Sequence, residues 1–412
     1  MAILTTATTN FDKTVVAYVN KRLEEEIRAP LPHLLPGNFV PARFVAGTNN
    51  TMRYLRAADF AVTTGTPSDG TPPWLTEGTT PTAEEMGFGY EEFSANQAGR
   101  FWNFSDRAMA QSPLDLIAEG ADRVARNAVA TADQRVADVL IAGSNVMYAG
   151  SVSGRTAIAP TNILTGAIVK EAVARLKETN VPTFSDGTFR AICRPSSTFQ
   201  LESDTAVGGW IDAQRYAGAT QLFTGEIGRY AGVRFIESSA AGQVAASSTV
   251  GAGIATVALT NPSAASDDII DTAAVHNLTP GMKFIFTSIT GGTGAAANTV
   301  YYVLGNASFG AQTFQFSATK GGTAVNFTSD ITAGNIRQVV DVNSTFLFGP
   351  QAYAFGDWGE IETYITPPGG KGDELHQRAS VGWKGYFGAR LLEAAGARYV
   401  RIEAANNIYP AI

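Results

Sequence analysis

The chain has 412 residues, a formal net charge of -7 and 16% charged residues, against roughly 25% in an ordinary soluble domain. No apolar run is long enough to cross a bilayer, so we expect no contact with a membrane. The low fraction of charged residues instead predicts that other chains cover much of the surface. The acidity excludes binding of nucleic acid through overall charge, and the single cysteine, Cys193, excludes an internal disulfide framework.

The choice of basic residues supports this interpretation. Of the 30 cations, 8 are Lys and 22 are Arg. Arginine is enriched and lysine depleted at protein interfaces, because a flat, weakly hydrated guanidinium loses water readily and binds in a fork. Together with 42 glycines, which suit turns and positive φ angles, this composition predicts a turn-rich assembly subunit.

Residues 1–50 are predicted to form an N-terminal arm followed by a helix. The start of the chain is patternless, but apolar residues then recur at every fourth position up to Arg28. This spacing predicts an amphipathic helix, with Phe11, Val15 and Val19 as predicted inter-subunit contacts. Packing on the helix's own domain and docking on a neighbouring subunit fit the pattern equally well.

Residues 51–108 are predicted to form a long two-stranded extended loop. A strand over 51–63 and an aromatic strand over 86–105 enclose a tip rich in Gly, Pro and Thr. An isolated hairpin is barely stable in water, so we expect it to lie along another subunit. Alternating Arg and aromatic residues over 100–107 would suit stacking on bases, but aromatic pairing between strands is favoured. The predicted inter-subunit contacts in this loop are Arg53, Arg56, Trp74, Phe101, Trp102 and Arg107.

Residues 109–159 are predicted to form a peripheral domain around a long spine helix. Ser112 is the predicted N-cap and Pro113 the first helical residue. Apolar residues at steps of three and four continue to Ala142, which gives a helix of about 45 Å at 1.5 Å per residue. Its predicted solvated ion pairs are Glu119–Arg123 and Asp122–Arg126.

Residues 160–242 predict an apical α/β domain. Its predicted elements are a helix over Thr165–Thr179, a buried strand over Phe189–Cys193, a helical stretch around Trp210–Tyr216 and a strand over Tyr230–Ile236. The composition then changes, because residues 243–342 are poor in charge and rich in Gly, Ala, Thr and Ser. Short strands at intervals of roughly 8–12 residues predict an inserted all-β domain, either an Ig-like sandwich or a small barrel.

Residues 343–412 are predicted to return to the apical and peripheral domains. The predicted elements are strands over Thr345–Phe348, Ser380–Phe387 and Arg398–Glu403 and a helical run around Leu391–Ala395.

No group of residues indicates catalysis. His33 lies among prolines and His276 at a strand entry, so both are expected to be surface or turn residues. Asp373, Glu374 and His376 follow a stretch rich in Pro and Gly, which favours a solvated loop over a cation site. We therefore expect no enzyme, and no catalytic, metal or cofactor site.

The order of these parts resembles the major capsid protein of tailed double-stranded DNA phages. Two segments are similar to strands of its N4-like branch: Gly225-Glu-Ile-Gly-Arg-Tyr-Ala-Gly-Val-Arg-Phe-Ile-Glu237 and Val381-Gly-Trp-Lys-Gly-Tyr-Phe-Gly-Ala-Arg390. The resemblance covers most of the chain apart from the insertion. It implies an α+β fold of the Hong Kong ninety-seven type, with an N-terminal arm, extended loop, spine helix, and peripheral and apical domains.

The resemblance also implies a function. The subunit would self-assemble into hexamers and pentamers of an icosahedral capsid that encloses double-stranded DNA, with a scaffolding protein and a portal as partners. It would contact the packaged DNA weakly and non-specifically. Apart from the resemblance, the insertion, residues 243–342, is a predicted contact for decoration proteins. Assembly would take place in the host cytoplasm, and the protein would reside in the virion capsid.

Some shells of this type join neighbours covalently through a lysine on the extended loop. Residues 51–108 contain no lysine, so we expect non-covalent assembly. Two alternatives stay open: a phage tail or fibre adhesion protein with the insertion as its binding module, and a cellular nanocompartment shell of the same fold that carries protein cargo. The insertion itself either contacts neighbours, decoration proteins or host sugars, or only braces the subunit.

Overall fold

The computed structural model describes residues 3–4, 32–35, 37–43, 51–57, 77–78, 86–206, 229–247, 249, 257–259, 268–357, 361–366, 368, 373, 375–392 and 398–407. Some predictions lie outside these residues: the helix of 11–28 with Phe11, Val15 and Val19, the loop tip with Trp74, the stretch 210–216, and most of the helical run 391–395. No described helix is long and apolar enough to span a membrane.

The described residues form four α-helices: α1 (Asp106–Gln111), α2 (Leu116–Ala142), α3 (Gly166–Glu178) and α4 (Pro195–Glu202). The strands that they form, in chain order, are β1 (Ile3–Leu4), β2 (Val40–Arg43), β3 (Thr51–Ala57), β4 (Phe88–Ser94), β5 (Asn96–Ser105), β6 (Val146–Tyr148), β7 (Phe189–Cys193), β8 (Arg229–Tyr230), β9 (Val233–Glu237), β10 (Gln243–Val244), β11 (Val257–Ala258), β12 (Ile270–Asp271), β13 (Lys283–Gly291), β14 (Val300–Val303), β15 (Thr313–Phe314), β16 (Phe316–Ser317), β17 (Ile331–Val339), β18 (Val342–Phe348), β19 (Tyr353–Asp357), β20 (Glu362–Thr366), β21 (Arg378–Leu391) and β22 (Tyr399–Ala405).

The chain divides into two compact units. The first unit comprises Met1–Phe11, Pro41–Ala128 and Tyr353–Ala394, and the second comprises Asp12–Val40, Val129–Ala352 and Ala395–Ile412. The sequence-based domain boundaries are finer than this division and stay predictions.

The first unit is built on a β-sheet whose central strand is β21, which is 14 residues long. On one edge β21 pairs with β5, and on the other it pairs in succession with β20 and β19. β1 extends this first-unit sheet beyond β5, and β2 extends it beyond β19. Because side chains alternate between the two faces of a strand, Val381 and Trp383 share one face and Gly382 and Lys384 share the other.

The second strand predicted for the extended loop is interrupted within the described residues. β3 pairs with β4 from Thr51 opposite Ser94 to Ala57 opposite Phe88. After the buried Ala95, the chain leaves the hairpin, and β5 pairs with β21 instead. The predicted strand over 86–105 is therefore two strands, because β5 gains more by joining a sheet with a core than by lengthening a free hairpin.

Helix α2 begins at Leu116, and the prediction of Ser112 as its N-cap is wrong. Asp115 Oδ1 accepts hydrogen bonds from the backbone N–H groups of Ile117 and Ala118, both at 3.1 Å, so Asp115 is the capping residue. Ser112 instead follows the end of α1. The predicted ion pairs along α2 are confirmed: Glu119–Arg123 and Asp122–Arg126.

Within the first unit, the beginning of α2 packs on the first-unit sheet through a glycine. A Cβ atom at Gly120 would lie 3.0 Å from the Phe104 ring, so glycine leaves room for that ring. Trp383 Nε1 donates a hydrogen bond to Asn127 Oδ1 at 3.1 Å. These contacts identify the face with Val381 and Trp383 as the helix-covered face.

The second unit contains a sheet with the order β6-β22-β18-β7-β9-β8, on which β10 also pairs with β18. Helix α3 covers one face of this second-unit sheet. Its apolar residues Val169, Val173 and Leu176 are buried, as their spacing predicts, and the strand predicted over Phe189–Cys193 is the buried β7.

The strand predicted over Tyr230–Ile236 is instead a hairpin. β8 and β9 pair antiparallel, with Tyr230 opposite Val233, and the two residues between them have positive φ angles, 52° at Ala231 and 79° at Gly232. Positive φ at both central residues is typical of the type I′ turn, whose twist matches that of the flanking strands.

The insertion lies within the second unit and is built of strands, as predicted. Among the described residues its main sheet has the order β11-β17-β13-β14-β16, and β12 pairs with β15. The core is aromatic, and the rings of Phe284 and Phe314 pack edge to face, 5.2 Å apart at 87°. The Ig-like assignment stays a prediction.

Candidate assembly surface

Large apolar side chains are exposed mainly on the first unit. Among the described residues, the exposed ones in the first unit are Met86, Phe88, Tyr90, Phe101, Trp102, Tyr364, Ile365 and Leu375, and those in the second unit are Leu35, Val129, Phe199 and Val275. Scattered exposed apolar residues are normal, whereas a contiguous group marks an interaction surface.

Two of these side chains share one row of the first-unit sheet. Gly382 pairs with Phe101 of β5 on one side and with Tyr364 of β20 on the other. Phe101 is 56% exposed and Tyr364 is 50% exposed. Because Gly382 has no side chain, the two rings stand on either side of bare backbone.

A groove lies on the face of the first-unit sheet opposite to the helix-covered face, where glycines leave the backbone bare. Gly99 and Gly382 contribute to its floor, Phe101, Tyr364 and Lys384 to its walls, and its volume is about 490 Å³. A side chain at Gly99 would not fit either, since its Cβ would lie 2.7 Å from the Trp383 carbonyl oxygen. We call this feature the aromatic groove.

The polar groups around the aromatic groove interact with one another. The Tyr364 hydroxyl donates a hydrogen bond to Glu362, and this bond raises the Tyr364 pKa above its usual value. The Lys384 ammonium lies 5.1 Å from the centre of the Tyr386 ring, and its hydrogen bond to Tyr386 raises the Lys384 pKa. At neutral pH the groove therefore carries a neutral phenol and a cation.

Trp102 and Ile365 lie on the helix-covered face. Both pair with Val381, from opposite sides. Val381 is fully buried, while Trp102 is 41% exposed and Ile365 is 53% exposed. Apolar surface therefore continues from the covered centre of this face to its margin.

The hairpin β3–β4 presents a second apolar strip. Phe88 and Tyr90 are exposed on β4, on the same side because they are two residues apart. Glu91 points towards the sheet and forms an ion pair with Arg390 of β21, at 3.2 Å between Oε2 and Nη2. This ion pair fixes the hairpin to the first-unit sheet.

The predicted contact residues do not all lie on one face in the structure. Phe101 and Trp102 are adjacent on β5 but face opposite sides of the sheet, and Arg107 is exposed in α1. The register puts Arg53 opposite Glu92 and Arg56 opposite Gly89, and the side chains of these arginines lie outside the described part of the chain. Tyr364 was not predicted as a contact, because its strand β20 has no sequence pattern that marks an interaction surface.

His33 lies in a turn, which is one of the two predicted alternatives, but the prediction of a surface position is wrong. His33 is fully buried in the second unit, and its Nδ1 lies 2.8 Å from Asp133 Oδ2 on α2. Asp133 Oδ1 also accepts hydrogen bonds from the backbone N–H groups of His33 and Leu34. The imidazole can be buried because α2 supplies a carboxylate to a segment that has none of its own.

His276 is also buried, in the insertion, against the rings of Phe309 and Phe314. Its Nδ1 accepts a hydrogen bond from the Leu278 backbone N–H at 3.0 Å, so its Nε2–H donates to the Gly310 carbonyl at 2.9 Å. Burial lowers the His276 pKa below 6.5. This histidine serves the fold of the insertion.

The described residues contain no group of three or more His, Cys, Asp or Glu side chains that could hold a metal ion. Asp373 instead caps its own loop, accepting hydrogen bonds from the backbone N–H groups of Gln377 and Arg378. The chemistry that the described surface supports is apolar and aromatic contact.

No protein-family model and no curated protein matches the sequence. Solved structures match it over most of its length. The capsid of Ralstonia phage GP4 is similar with a TM-score of 0.52 at 10% identity, over 89% of this chain and 87% of that one. The capsid of cyanophage P-SCSP1u is similar with a TM-score of 0.50 at 12% identity, over 89% and 86%.

The capsid of cyanophage Pam1 is similar to the same degree, with a TM-score of 0.50 at 12% identity, over 87% of this chain and 86% of that one. At such low identity the likeness establishes the fold. The chain therefore has the fold of phage capsid chains, and the expectation of a capsid fold is confirmed. The N4-like branch stays a prediction.

Proposed function

We propose that this chain is a major capsid protein of the N4-like branch, which self-assembles into hexamers and pentamers of an icosahedral shell around double-stranded DNA. The observation that carries the proposal is the aromatic groove, an exposed apolar surface on a fold shared with phage capsid chains. A subunit that keeps Phe101 and Tyr364 half in water gains free energy when another copy covers them.

Burial of these side chains favours assembly. Full burial of one large apolar side chain contributes about 1.5–3 kcal/mol, and the first unit exposes several of them. Obligate interfaces commonly exceed about 2,000 Å², and we propose that the groove, the hairpin strip and the sheet margin all contribute to such an interface. We propose Phe101, Trp102, Arg107, Arg53 and Arg56 as contacts between copies, with Phe11, Val15, Val19 and Trp74.

The proposed partners follow from this role. They are other copies of the chain, a scaffolding protein, a portal and the packaged DNA, which the acidic chain contacts weakly. We propose assembly in the host cytoplasm and residence in the virion, as a structural protein without catalytic activity. Joining of subunits is proposed to be non-covalent.

Decoration proteins are proposed to bind residues 243–342. The insertion has its own aromatic core, and at its base Lys283 Nζ lies 2.6 Å from Asp341 Oδ2. Deletion of the insertion tests this role: particles that form normally but no longer retain a decoration protein support it. Particles of unchanged composition and stability would show that the insertion only braces the subunit.

Imaging tests the proposed function. The chain is expressed with and without its phage's scaffolding protein and portal, and purified material is examined by electron microscopy and assayed for nucleic acid. Closed shells are the expected result. Rods or spikes would indicate the adhesion protein, and shells that hold protein cargo would indicate the nanocompartment.

A further inference from the structure

Three arginines lie side by side across the second-unit sheet. Arg234 of β9 is directly opposite Arg190 of β7 in a parallel pair and directly opposite Arg229 of β8 in an antiparallel pair. Residues in one row of a sheet point to the same face. The face is the one opposite to α3, because α3 packs on the alternate residues Phe189, Val233 and Phe235. We call these three residues the arginine row.

The turn of the β8–β9 hairpin brings two of the arginines close together. In a hairpin with a two-residue turn, the pair next to the turn exchanges both hydrogen bonds, and the following pair is the closer, non-hydrogen-bonded one. Arg229 and Arg234 are that second pair. Like charges directly opposite each other destabilise a sheet, so this arrangement costs the isolated subunit stability.

Arg190 holds one end of the arginine row in place. It donates a hydrogen bond to Asn38 Oδ1, and its guanidinium lies 4.2 Å from the centre of the Phe184 ring. Arg234 is exposed, and the Arg229 side chain is 58% exposed. The arginine row therefore has one fixed member and two that a partner can reach.

Within the described residues, little negative charge lies near the arginine row. Asp186 Oδ2 lies 4.0 Å from Arg229. Hydrogen bonds from Thr188, followed by smaller contributions from Arg229 and Arg190, keep the Asp186 pKa below its usual value, so this carboxylate stays ionised and already has partners. Arg234 forms no ion pair with the described residues. Among the residues that the structure describes here, three cations thus face one carboxylate.

We propose that the arginine row is a docking site for a carboxylate-bearing surface of a second copy of this chain, an inference that rests on the proposed function. Charge complementarity favours this occupant, since the chain has 37 acidic residues and a net charge of -7. Neighbouring acidic side chains on a helix lie about 5–6 Å apart, close to the strand spacing of about 4.8 Å in the row. Guanidinium groups also tolerate the loss of water that an interface imposes.

DNA fits the arginine row less well. Proteins that hold duplex DNA by charge typically make about 6–10 phosphate contacts, whereas the row offers three cations on an acidic protein. The long-range field of the chain also repels a polyanion. Duplex DNA is therefore the alternative ligand that the experiment must exclude.

The test uses the double variant Arg229→Gln/Arg234→Gln, with Arg175→Gln as the matched control. Arg175 is an exposed arginine of α3, paired with Glu171 at 3.1 Å in its own helix. Association of full-length subunits is measured by sedimentation at low and high salt. The double variant should need about a tenfold higher concentration to assemble at low salt and should lose most of the salt dependence, while the control should behave as the wild type.

Two further measurements show whether the double variant is folded and whether the arginine row binds DNA. The double variant should melt at the same temperature as the wild type or higher, because a like-charge pair has been removed. If it assembles like the wild type at every salt concentration, the arginine proposal is overturned and the proposed function stands. The proposal is also overturned if assembly is unchanged but retention of duplex DNA in a gel is lost. If the wild type itself never assembles, both proposals fail.

Discussion

Phe101 lies directly opposite Gly382 in the first-unit sheet, and a Cβ atom added to Gly382 would lie 2.7 Å from the Phe101 Cβ. The same atom would lie 3.1 Å from the Arg100 carbonyl oxygen. The backbone of β21 thus approaches β5 so closely that only glycine fits. This close approach creates the aromatic groove.

Gly382→Ala is therefore expected to destabilise the chain by about 1–3 kcal/mol, since overpacking forces a strand to shift. Gly89→Ala is the control, because a Cβ atom at Gly89 of β4 would meet nothing within 4 Å. Chemical denaturation of both variants measures the difference. Equal stability of the two would contradict the close approach.

Asp133→Ala should destabilise the second unit by about 2–5 kcal/mol, because it leaves a buried imidazole and two backbone N–H groups without this acceptor. Asp138→Ala is the control on the same helix, where an exposed carboxylate accepts a hydrogen bond from Gln134. Urea unfolding of the two variants gives the comparison. A cost below about 0.5 kcal/mol for Asp133→Ala would mean that the buried pair contributes little.

The insertion should lose stability in acid. The His276 pKa is lowered by burial below 6.5 in the folded state, so the unfolded chain takes up the proton more readily. The stabilisation that the neutral, buried His276 contributes is complete above about pH 6.5 and falls as the pH drops below it. After correction for the slower intrinsic exchange chemistry in acid, the hydrogen-exchange protection of residues 268–339 should therefore fall between about pH 7 and pH 5.

His276→Gln should remove most of this pH dependence, whereas His376→Gln, at an exposed position, should leave it intact. Acid-induced opening that persists in the His276 variant would assign the effect to other groups.

Purified particles should dissolve in hot detergent to a single band at the monomer position, without reduction. The reason is that the extended loop, residues 51–108, contains no lysine to join neighbours. A ladder of larger species on a denaturing gel, resistant to reducing agent, is the contrary result.

Sequence patterns located the elements that fill the core. The spacing of Val169, Val173 and Leu176 predicts α3 within one residue at each end, and the apolar run at Phe189–Cys193 predicts β7. Periodicity works there because burial of apolar side chains contributes most of the stability of both elements.

Contacts between residues that are far apart in the sequence leave no such periodic pattern. His33 and Asp133 are 100 residues apart, and a histidine among prolines does not reveal its partner. Ser112 and Asp115 are both good capping residues, and the structure distinguishes them by the hydrogen bonds that Asp115 accepts. The aromatic groove depends on the register of three strands, which a single strand's sequence does not contain.

The central claim is that copies of this chain cover the aromatic groove. The most direct measurement is maleimide labelling, before and after assembly, of a Thr366→Cys variant, which places a thiol at an exposed position of the groove lining and keeps both aromatic rings. The native thiol gives a quiet background, because burial raises the pKa of Cys193 to about 12 and only the thiolate reacts. Free subunits should label quickly and assembled particles at least about tenfold more slowly. Equal rates in both states would contradict the account.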